Sequence, residues 1–251
     1  MKIIIFGIGG ALGNAVYNIA TKNGVEVVAG IDVFADKLSF PIPLYKSIKD
    51  CTEKADALID FSRPSSLADI LEYITSTKTP AVLCTTGYSA EQQNSIDDAS
   101  KKVAIFQSSN MSLGVNLLIN LVKKATAFLG DGYDIEIIEQ HHNRKVDAPS
   151  GTALSIAKAI NETLDNTHEY SFGRTPESGK RKPTEIGIHA VRGGNIVGEH
   201  DVMFIGNEEI ITIKHSAQDR SVFALGAIRA AEYIKNLAPG KYDMNDLIEN
   251  K

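Results

Sequence analysis

The chain has 251 residues, of which 43% are hydrophobic and 23% charged, a composition that excludes disordered and fibrous proteins. The formal net charge of -5 excludes a general nucleic-acid binder, because such binding needs an excess of Lys and Arg. No apolar run reaches the roughly 18 residues of a membrane span, and Cys51 and Cys84 form no metal-binding or disulfide pattern. We therefore expect a cytoplasmic protein that needs neither a membrane nor a metal ion.

Short β-rich segments alternate with helical patterns through the first half of the chain. The predicted strands are residues 2–6, 25–31, 55–60, 79–85 and 103–107, and the predicted helices are residues 10–22, 64–76 and 90–100. This alternation predicts a Rossmann-type α/β fold, with a doubly wound parallel sheet covered by helices on both faces.

The pattern changes after residue 111. Residues 112–129 predict a long helix whose apolar stripe consists of Leu113, Leu117, Leu121, Ala125 and Phe128. A strand at 133–141 and a helix at 151–164 follow, and residues 166–183 are polar and predict a long mobile loop. Three strands with short turns, at 184–192, 199–205 and 209–216, indicate a mainly antiparallel sheet in a second, α+β part, before a last helix at 221–237.

A glycine-rich turn follows the first predicted strand. Gly7, Gly10 and Gly13, with an additional Gly9, open the first helix, where backbone N–H groups and the helix dipole favour a pyrophosphate. Their spacing only approximates the regular dinucleotide-binding pattern, but Asp32 ends the next strand about 20 residues later, where it would bind ribose hydroxyls. The alternative is that the glycines only turn the chain and Asp32 is a solvated strand end.

The residues around Asp32 also predict which cofactor is preferred. A carboxylate repels the 2′-phosphate of NADPH, and the neighbouring Val33 supplies no cation to offset this. We therefore expect NADH as the preferred cofactor, with NADPH also used if Lys37 reaches the site. Two later strand ends, residues 84–87 and 108–111, either line the nicotinamide half of the site or are ordinary turns.

The densest chemistry follows the strand at 133–141. His141, His142, Arg144 and Lys145 lie within five residues, and His141 and Lys145 are candidate general acids for a reduction that also moves protons. Residues 150–152 then begin a helix with Ser-Gly-Thr, whose backbone N–H groups and hydroxyl suit a carboxylate. Each feature alone is usually a surface charge or a helix cap, but their concentration in one segment favours a site. The patterns leave the roles of Arg192 and His200 open.

On these residues the sequence resembles the dihydrodipicolinate reductase family. The family signature Glu-x-His-His-x-x-Lys-x-Asp-x-Pro-Ser-Gly-Thr-Ala is present without departure at residues 139–153. The glycine turn, the Thr-Thr-Gly turn, the Asn-x-Ser-x-Gly-Val-Asn stretch at 110–116 and the Arg-x-Gly and Gly-x-His portions at 192–200 follow in the family's order.

The resemblance implies a role for each matching residue. It implies that His141 donates and accepts a proton, that Lys145 is the proton donor, that His142 contacts substrate, and that Gly151 and Thr152 hold a substrate carboxylate. The cofactor contacts that it implies are Gly7, Ile8, Gly9, Gly10, Ala11, Leu12, Asp32, Cys84, Thr85, Thr86, Ser108, Ser109, Asn110 and Met111. The chain departs from the usual family pattern at Cys84, which is often Gly, and at Val33, which is commonly Arg in relatives that use both cofactors.

The resemblance also implies a reaction and an assembly. Loss of water from 4-hydroxy-tetrahydrodipicolinate and hydride transfer would give tetrahydrodipicolinate, a step in lysine and diaminopimelate biosynthesis. Residues 1–112 with 217–251 would bind the dinucleotide, and residues 113–216 would bind the small dicarboxylate substrate and form a homotetramer. One alternative is a diaminopimelate or aspartate dehydrogenase, which would not require the His-His-x-x-Lys and Pro-Ser-Gly-Thr motifs. The other is an NAD(H)-sensing protein without turnover, which a winged helix or a basic recognition helix would favour, and the sequence indicates neither.

Overall fold

The computed structural model describes residues 1–219 and 221–249 and divides the chain into two compact units. The first contains Met1–Leu113 and residues 221–249, and the second contains Gly114–Asp219. The elements up to residue 129 are β1 (Lys2–Phe6), α1 (Ala11–Lys22), β2 (Glu26–Ile31), β3 (Leu44–Tyr45), β4 (Ala57–Asp60), α2 (Leu67–Thr77), β5 (Ala81–Leu83), α3 (Ala90–Ser100), β6 (Ala104–Gln107) and α4 (Leu113–Leu129). Those that follow are β7 (Asp134–His141), α5 (Gly151–Thr163), β8 (Glu169–Phe172), β9 (Glu185–Arg192), β10 (Gly198–Ile205), β11 (Ile210–Ala217), α6 (Ser221–Ile234), β12 (Gly240–Tyr242) and α7 (Met244–Glu249).

The first unit is built on a parallel sheet with the strand order β12-β6-β5-β4-β1-β2-β3. Its strands are nearly all apolar because both faces are covered. Ile3 and Ile5 of β1 pack on one face with residues of α1 and α6, whereas Ile4 and Phe6 pack on the other face with residues of α2 and α3. The predicted doubly wound sheet is confirmed. The edge strands β3 and β12 were not predicted because two or three residues are too few to show a pattern.

The second unit contains a mixed sheet with the order β11-β10-β7-β9-β8. β10 runs antiparallel to β7 and β11, but β9 is parallel to both β7 and β8. The short turn between β9 and β10 therefore does not make a hairpin, because β7 lies between them. Alternate residues of this sheet, including the buried Ile137 and Ile188, form a core with α4 and α5.

The segment at 166–183 is more ordered than the predicted mobile loop. It contains β8 and a 3-10 turn at Pro176–Ser178. The guanidinium of Arg181 anchors the segment, since it donates to Asp134 over 2.6 Å and to Glu136 over 3.1 Å. Ion pairs rather than apolar periodicity fix this segment, so the hydrophobic pattern gave no sign of it.

The apolar stripe predicted for α4 is wrong in its orientation. Leu117, Leu121 and Phe128 are exposed, whereas the buried residues of the helix are Val115, Leu118, Val122 and Thr126. Both sides of this helix carry apolar residues, so periodicity alone cannot choose the buried one. Among residues 1–219 and 221–249, none of the helices has the length and apolar character that crossing a membrane requires.

Candidate active site

The glycine turn after β1 is shaped by close backbone approaches. Gly7 has φ +82°, and a Cβ there would lie 2.7 Å from the carbonyl oxygen of Phe61. A Cβ on Gly13 would overlap the carbonyl oxygen of Gly7. Gly10 is the N-cap residue of α1 and has no side chain that could cap the helix. The first N–H groups of α1 also lack partners within the helix. This end of the helix therefore fits a phosphate anion.

Asp32 lies beside this turn, at the end of β2. Its Oδ2 accepts a 3.0 Å hydrogen bond from the N–H of Gly9, and its Oδ1 accepts one of 3.0 Å from the N–H of Phe34. A cavity of about 430 Å³ brings together Gly7, Gly9, Gly10 and Asp32 with Val33, Phe34, Ser62, Arg63, Ser65 and Ser66. Arg63, rather than Lys37, is the cationic residue among these, and the Nζ of Lys37 lies over the ring of Phe34.

A second cavity of about 480 Å³ in the same unit gathers most of the other predicted cofactor contacts. It is lined by Ala11, Leu12, Cys84, Thr85, Thr86, Ser109, Asn110 and Met111, together with Phe61, Ser62 and Phe223. The side chain of Ile8 is instead fully buried in the core, and the hydroxyl of Ser108 donates to the carbonyl of Asn110 over 2.8 Å. The Cys84 side chain is also buried against the core. The two cavities and the helix end fit a dinucleotide.

Asp60, at the end of β4, is a buried acid that the sequence reasoning missed. Its carboxylate accepts hydrogen bonds from the Thr85 hydroxyl at 2.7 Å, the Ser62 N–H at 2.9 Å and the Tyr88 hydroxyl at 3.4 Å. Burial raises the pKa of Asp60 despite these donors. The sequence contained a signal for this residue, because Asp60 comes at the end of an apolar strand, as Asp32 does.

In the second unit, strand register gathers four polar side chains. Glu139 and His141 are two residues apart on β7 and so point to the same face. His200 of β10 pairs with Glu139, and Arg192 of β9 pairs with His141. The His141 and His200 rings lie edge to face with their centroids 5.3 Å apart.

The carboxylate of Glu139 joins these side chains. It is fully buried, and its Oε2 lies 2.6 Å from Nδ1 of His141. Arg192 donates to both carboxylate oxygens, over 2.7 and 2.8 Å, and also to the carbonyl of Asp147. Burial opposes ionisation, but the hydrogen bonds from Arg192, His141 and Ser150 lower the pKa of Glu139 overall.

Ser150 connects Glu139 to the start of α5. Its N–H donates to Oε1 of Glu139 over 2.9 Å, and its hydroxyl accepts from the N–H of Ala153 as the helix cap. The same hydroxyl lies 3.1 Å from Nε2 of His200, whose pKa is lowered to about 4 by burial and by the charge of His141. A Cβ on Gly151 would meet no atom of the described residues within 4 Å, so the helix end beside Ser150 is open to a ligand.

Lys145 belongs to the turn that follows His141 and His142. Its N–H donates to the carbonyl of His142, and its Nζ forms a 2.8 Å ion pair with Asp147. The Lys145 side chain is 21% exposed and that of Asp147 is 60% exposed, so the pair lies at the surface. The Lys145 side chain is therefore only partly covered by the protein.

The sequence reasoning gave no role to Glu139 and left Arg192 and His200 open. The signature could have indicated Glu139, because it lies two residues before His141 on a predicted strand and so shares its face. The partners Arg192 and His200 depend on β7 lying between β9 and β10, an order that no local pattern contains.

The comparisons with known proteins identify the family. The family model for the N-terminus of dihydrodipicolinate reductase matches residues 1–111, and the family model for its C-terminus matches residues 114–248. The chain belongs to the dihydrodipicolinate reductase family. The predicted family is thus confirmed.

Named relatives agree with this assignment. A 4-hydroxy-tetrahydrodipicolinate reductase of Caldanaerobacter subterraneus subsp. tengcongensis is 50% identical over 99% of this chain and 98% of its own. A reductase of the same name from Clostridium novyi is 47% identical over 100% of this chain and 99% of its own. The chain is therefore an oxidoreductase of the Rossmann type that uses a nicotinamide cofactor, as predicted.

A solved structure supports the fold. The dipicolinate-bound dihydrodipicolinate reductase of Paenisporosarcina sp. TG-14 is 23% identical and superposes with a TM-score of 0.82 over 98% of both chains. At this identity the likeness bears on the fold, and it confirms the combination of a parallel sheet with a second, smaller sheet.

Proposed function

We propose that this chain reduces 4-hydroxy-tetrahydrodipicolinate to tetrahydrodipicolinate, with loss of water, in the lysine and diaminopimelate pathway. One observation carries the proposal: a single carboxylate, that of Glu139, binds both the ring of His141 and the N–H of Ser150 at the start of α5. A proton-transferring imidazole is thereby fixed beside a helix end suited to a carboxylate. The proposed substrate is a dicarboxylate, and its reduction needs both a group that transfers protons and a site that binds a carboxylate.

The candidate site residues of the signature each have a role in this proposal. Gly151 leaves space at the start of α5 for a substrate carboxylate, and Thr152 and His142 add polar contacts to the same ligand. Lys145 donates a proton, and its Nζ is held in an ion pair with Asp147 before substrate binds. His141 gives and takes a proton through the nitrogen that Glu139 does not bind.

The nicotinamide cofactor, when bound, supplies the hydride. The fit of the first unit supports contacts by Gly7, Gly9 and Gly10 to the phosphates, by Asp32 to a ribose, and by the backbone and side chains of residues 84–86 and 109–111 to the nicotinamide half. We propose NADH as the preferred donor because the Asp32 carboxylate repels a 2′-phosphate. Arg63 lines the same cavity and offsets part of this repulsion, which supports some use of NADPH.

The proposal includes the assembly and the division of labour in the chain. Residues 1–112 with 217–251 bind the dinucleotide, and residues 113–216 bind substrate and form the homotetramer. On the sheet face opposite the helices, Val191 and Ile210 are exposed apolar residues, which supports association through this face. In the described part of the chain Cys51 and Cys84 are free thiols, which supports a reducing, cytoplasmic location.

The test is oxidation of NADH followed by absorbance, with 4-hydroxy-tetrahydrodipicolinate generated enzymatically in the cuvette. We expect turnover that dipicolinate inhibits. Lys145→Ala should lower kcat by about 100-fold or more while the Kd for NADH changes little. An absence of turnover in the wild-type protein, or turnover with aspartate and NAD⁺ instead, would refute the proposed function.

A further inference from the structure

Glu139 is bonded more extensively than a helix cap or a simple ion pair requires. It is fully buried, and its two oxygens accept hydrogen bonds from Arg192, His141 and the Ser150 backbone. An ionised carboxylate has no proton to donate, so the 2.6 Å contact with Nδ1 of His141 requires the proton to be on Nδ1. The other ring nitrogen, Nε2, is then left for proton exchange.

We propose that Glu139 is a positioning residue that fixes the Nδ1–H tautomer of His141 and thereby presents Nε2 to the substrate. The proposal rests on the proposed function, in which His141 moves a proton. Gly198 supports this placement: a Cβ at that position would lie 3.0 Å from Nε2, so the missing side chain leaves room beside the reactive nitrogen.

Arg192 has a second part in this arrangement. A carboxylate without a counter-charge is costly to bury, and the two bonds from Arg192 keep Glu139 ionised. The carboxylate and guanidinium together are neutral, so His141 can lose its proton without leaving an unpaired buried anion. Arg192 is thus committed to Glu139 and to the carbonyl of Asp147 rather than to a substrate carboxylate.

Glu136 provides a matched control on the same strand. It also accepts from a histidine, His189, at 2.7 Å, and from Arg174 and Arg181, at 2.9 and 3.1 Å. It lies at an odd number of positions from Glu139 and therefore faces the other side of the sheet. Glu136→Gln removes the same charge from a similar cluster outside the site, on the face proposed for association, so its oligomeric state is checked against that of the wild type before turnover is compared.

The experiment compares Glu139→Gln with Glu136→Gln by steady-state kinetics and by NMR of ¹⁵N-labelled histidine, with the His141 signals assigned through His141→Gln. We expect Glu139→Gln to lower kcat by about 100-fold or more, to leave the KM for NADH within about threefold, and to remove the Nδ1–H tautomer of His141. Glu136→Gln should keep both wild-type turnover and the His141 tautomer.

A second variant guards against poor folding of Glu139→Gln, which leaves the Arg192 guanidinium without a counter-charge. Glu139→Gln combined with Arg192→Gln removes both charges and should show the same loss of turnover and of tautomer. Unchanged turnover or an unchanged His141 tautomer in either variant would overturn the positioning role, as would an equal loss in Glu136→Gln. Inactivity of the wild-type protein would instead count against the proposed function, while the tautomer measurement would still test Glu139.

Discussion

Thr85 donates a 2.7 Å hydrogen bond from its hydroxyl to Oδ2 of Asp60, linking the ends of two neighbouring parallel strands. Both side chains are buried, and Thr85 belongs to the turn that lines the cavity of about 480 Å³ in the first unit. A buried carboxyl from β4 therefore holds in place the turn after β5. The turn is fixed before any cofactor arrives, which reduces the entropy lost on binding.

Thr85→Val tests this link, because it removes the hydroxyl and preserves the shape of the side chain. The variant leaves Asp60 with one donor fewer, so the free energy of unfolding should fall by about 1.5–3 kcal/mol in the absence of cofactor. Urea unfolding measures the change. Thr86→Val is the control, since Thr86 is exposed and should change stability by less than about 0.5 kcal/mol. Equal effects of the two would show that the Asp60 contact contributes nothing.

The glycines of the first turn should separate into two kinds. Gly13→Ala places a Cβ against the Gly7 carbonyl oxygen and should lower the free energy of unfolding by about 1–3 kcal/mol. A Cβ on Gly10 would lie 3.3 Å from the same oxygen, so Gly10→Ala should cost less stability but weaken NADH binding by about tenfold or more. Thermal unfolding and NADH fluorescence titration measure the two quantities, and a reversal of this pattern would contradict the assignment.

Gly151→Ala should affect substrate alone. The added Cβ would meet nothing in the described chain, and Gly151 is the first residue of α5 rather than an interior one, so stability should change by less than about 0.5 kcal/mol. The same methyl would stand where the proposed substrate carboxylate approaches the helix end, so the KM for 4-hydroxy-tetrahydrodipicolinate should rise about tenfold with the KM for NADH unchanged. An unaltered substrate KM would remove Gly151 from the site.

Local patterns were sufficient for the longer strands and helices of the first unit, although not for its short edge strands β3 and β12. β1 and α3 begin and end where the sequence predicts, because an apolar strand before glycines and a Ser89 capping box are signals contained within a few residues. Asp32 could be placed for the same reason, because it is the polar residue that directly follows a short apolar strand.

Contacts between distant residues could not be predicted in this way. Arg192 binds Glu139 only because β9 pairs in parallel with β7, whereas its short turn to β10 had indicated a hairpin. The orientation of α4 failed for a related reason: Leu117 and Leu118 are equally apolar, and only the sheet that packs on the helix selects Leu118. The sequence thus contained the chemistry of the site but not the strand order that assembles it.

The proposed preference for NADH can be tested at two opposite charges, Asp32 and Arg63, which line the cavity of about 430 Å³ in the first unit. Asp32→Ala should weaken NADH more than NADPH, because it removes a ribose ligand from the first and a repulsive charge from the second. Arg63→Ala should weaken NADPH more than NADH. Dissociation constants for both cofactors, measured on each variant by fluorescence, provide the comparison. The opposite order for Asp32→Ala would refute its contact with the ribose.

His200 makes stability depend on pH. Burial, together with the charge of His141, lowers its pKa from 6.5 to about 4, so the folded protein keeps it neutral where the unfolded chain would bind a proton. Its contribution is therefore complete above pH 6.5 and is lost as the pH falls from 6.5 towards 4. At 1.4 kcal/mol per pH unit, this loss amounts to about 2 kcal/mol between pH 7 and pH 5.

His200→Gln should remove that dependence while an amide still reaches the Ser150 hydroxyl, which lies 3.1 Å from Nε2 in the wild-type protein. We expect the free energy of unfolding of this variant to fall by about 2 kcal/mol less than that of the wild type when the pH is lowered from 7 to 5. Urea unfolding at both pH values measures the difference. His168→Gln, at the turn after α5, should follow the wild-type curve. Parallel curves for His200→Gln and the wild type would mean that folding does not lower the pKa of His200 and would contradict this prediction.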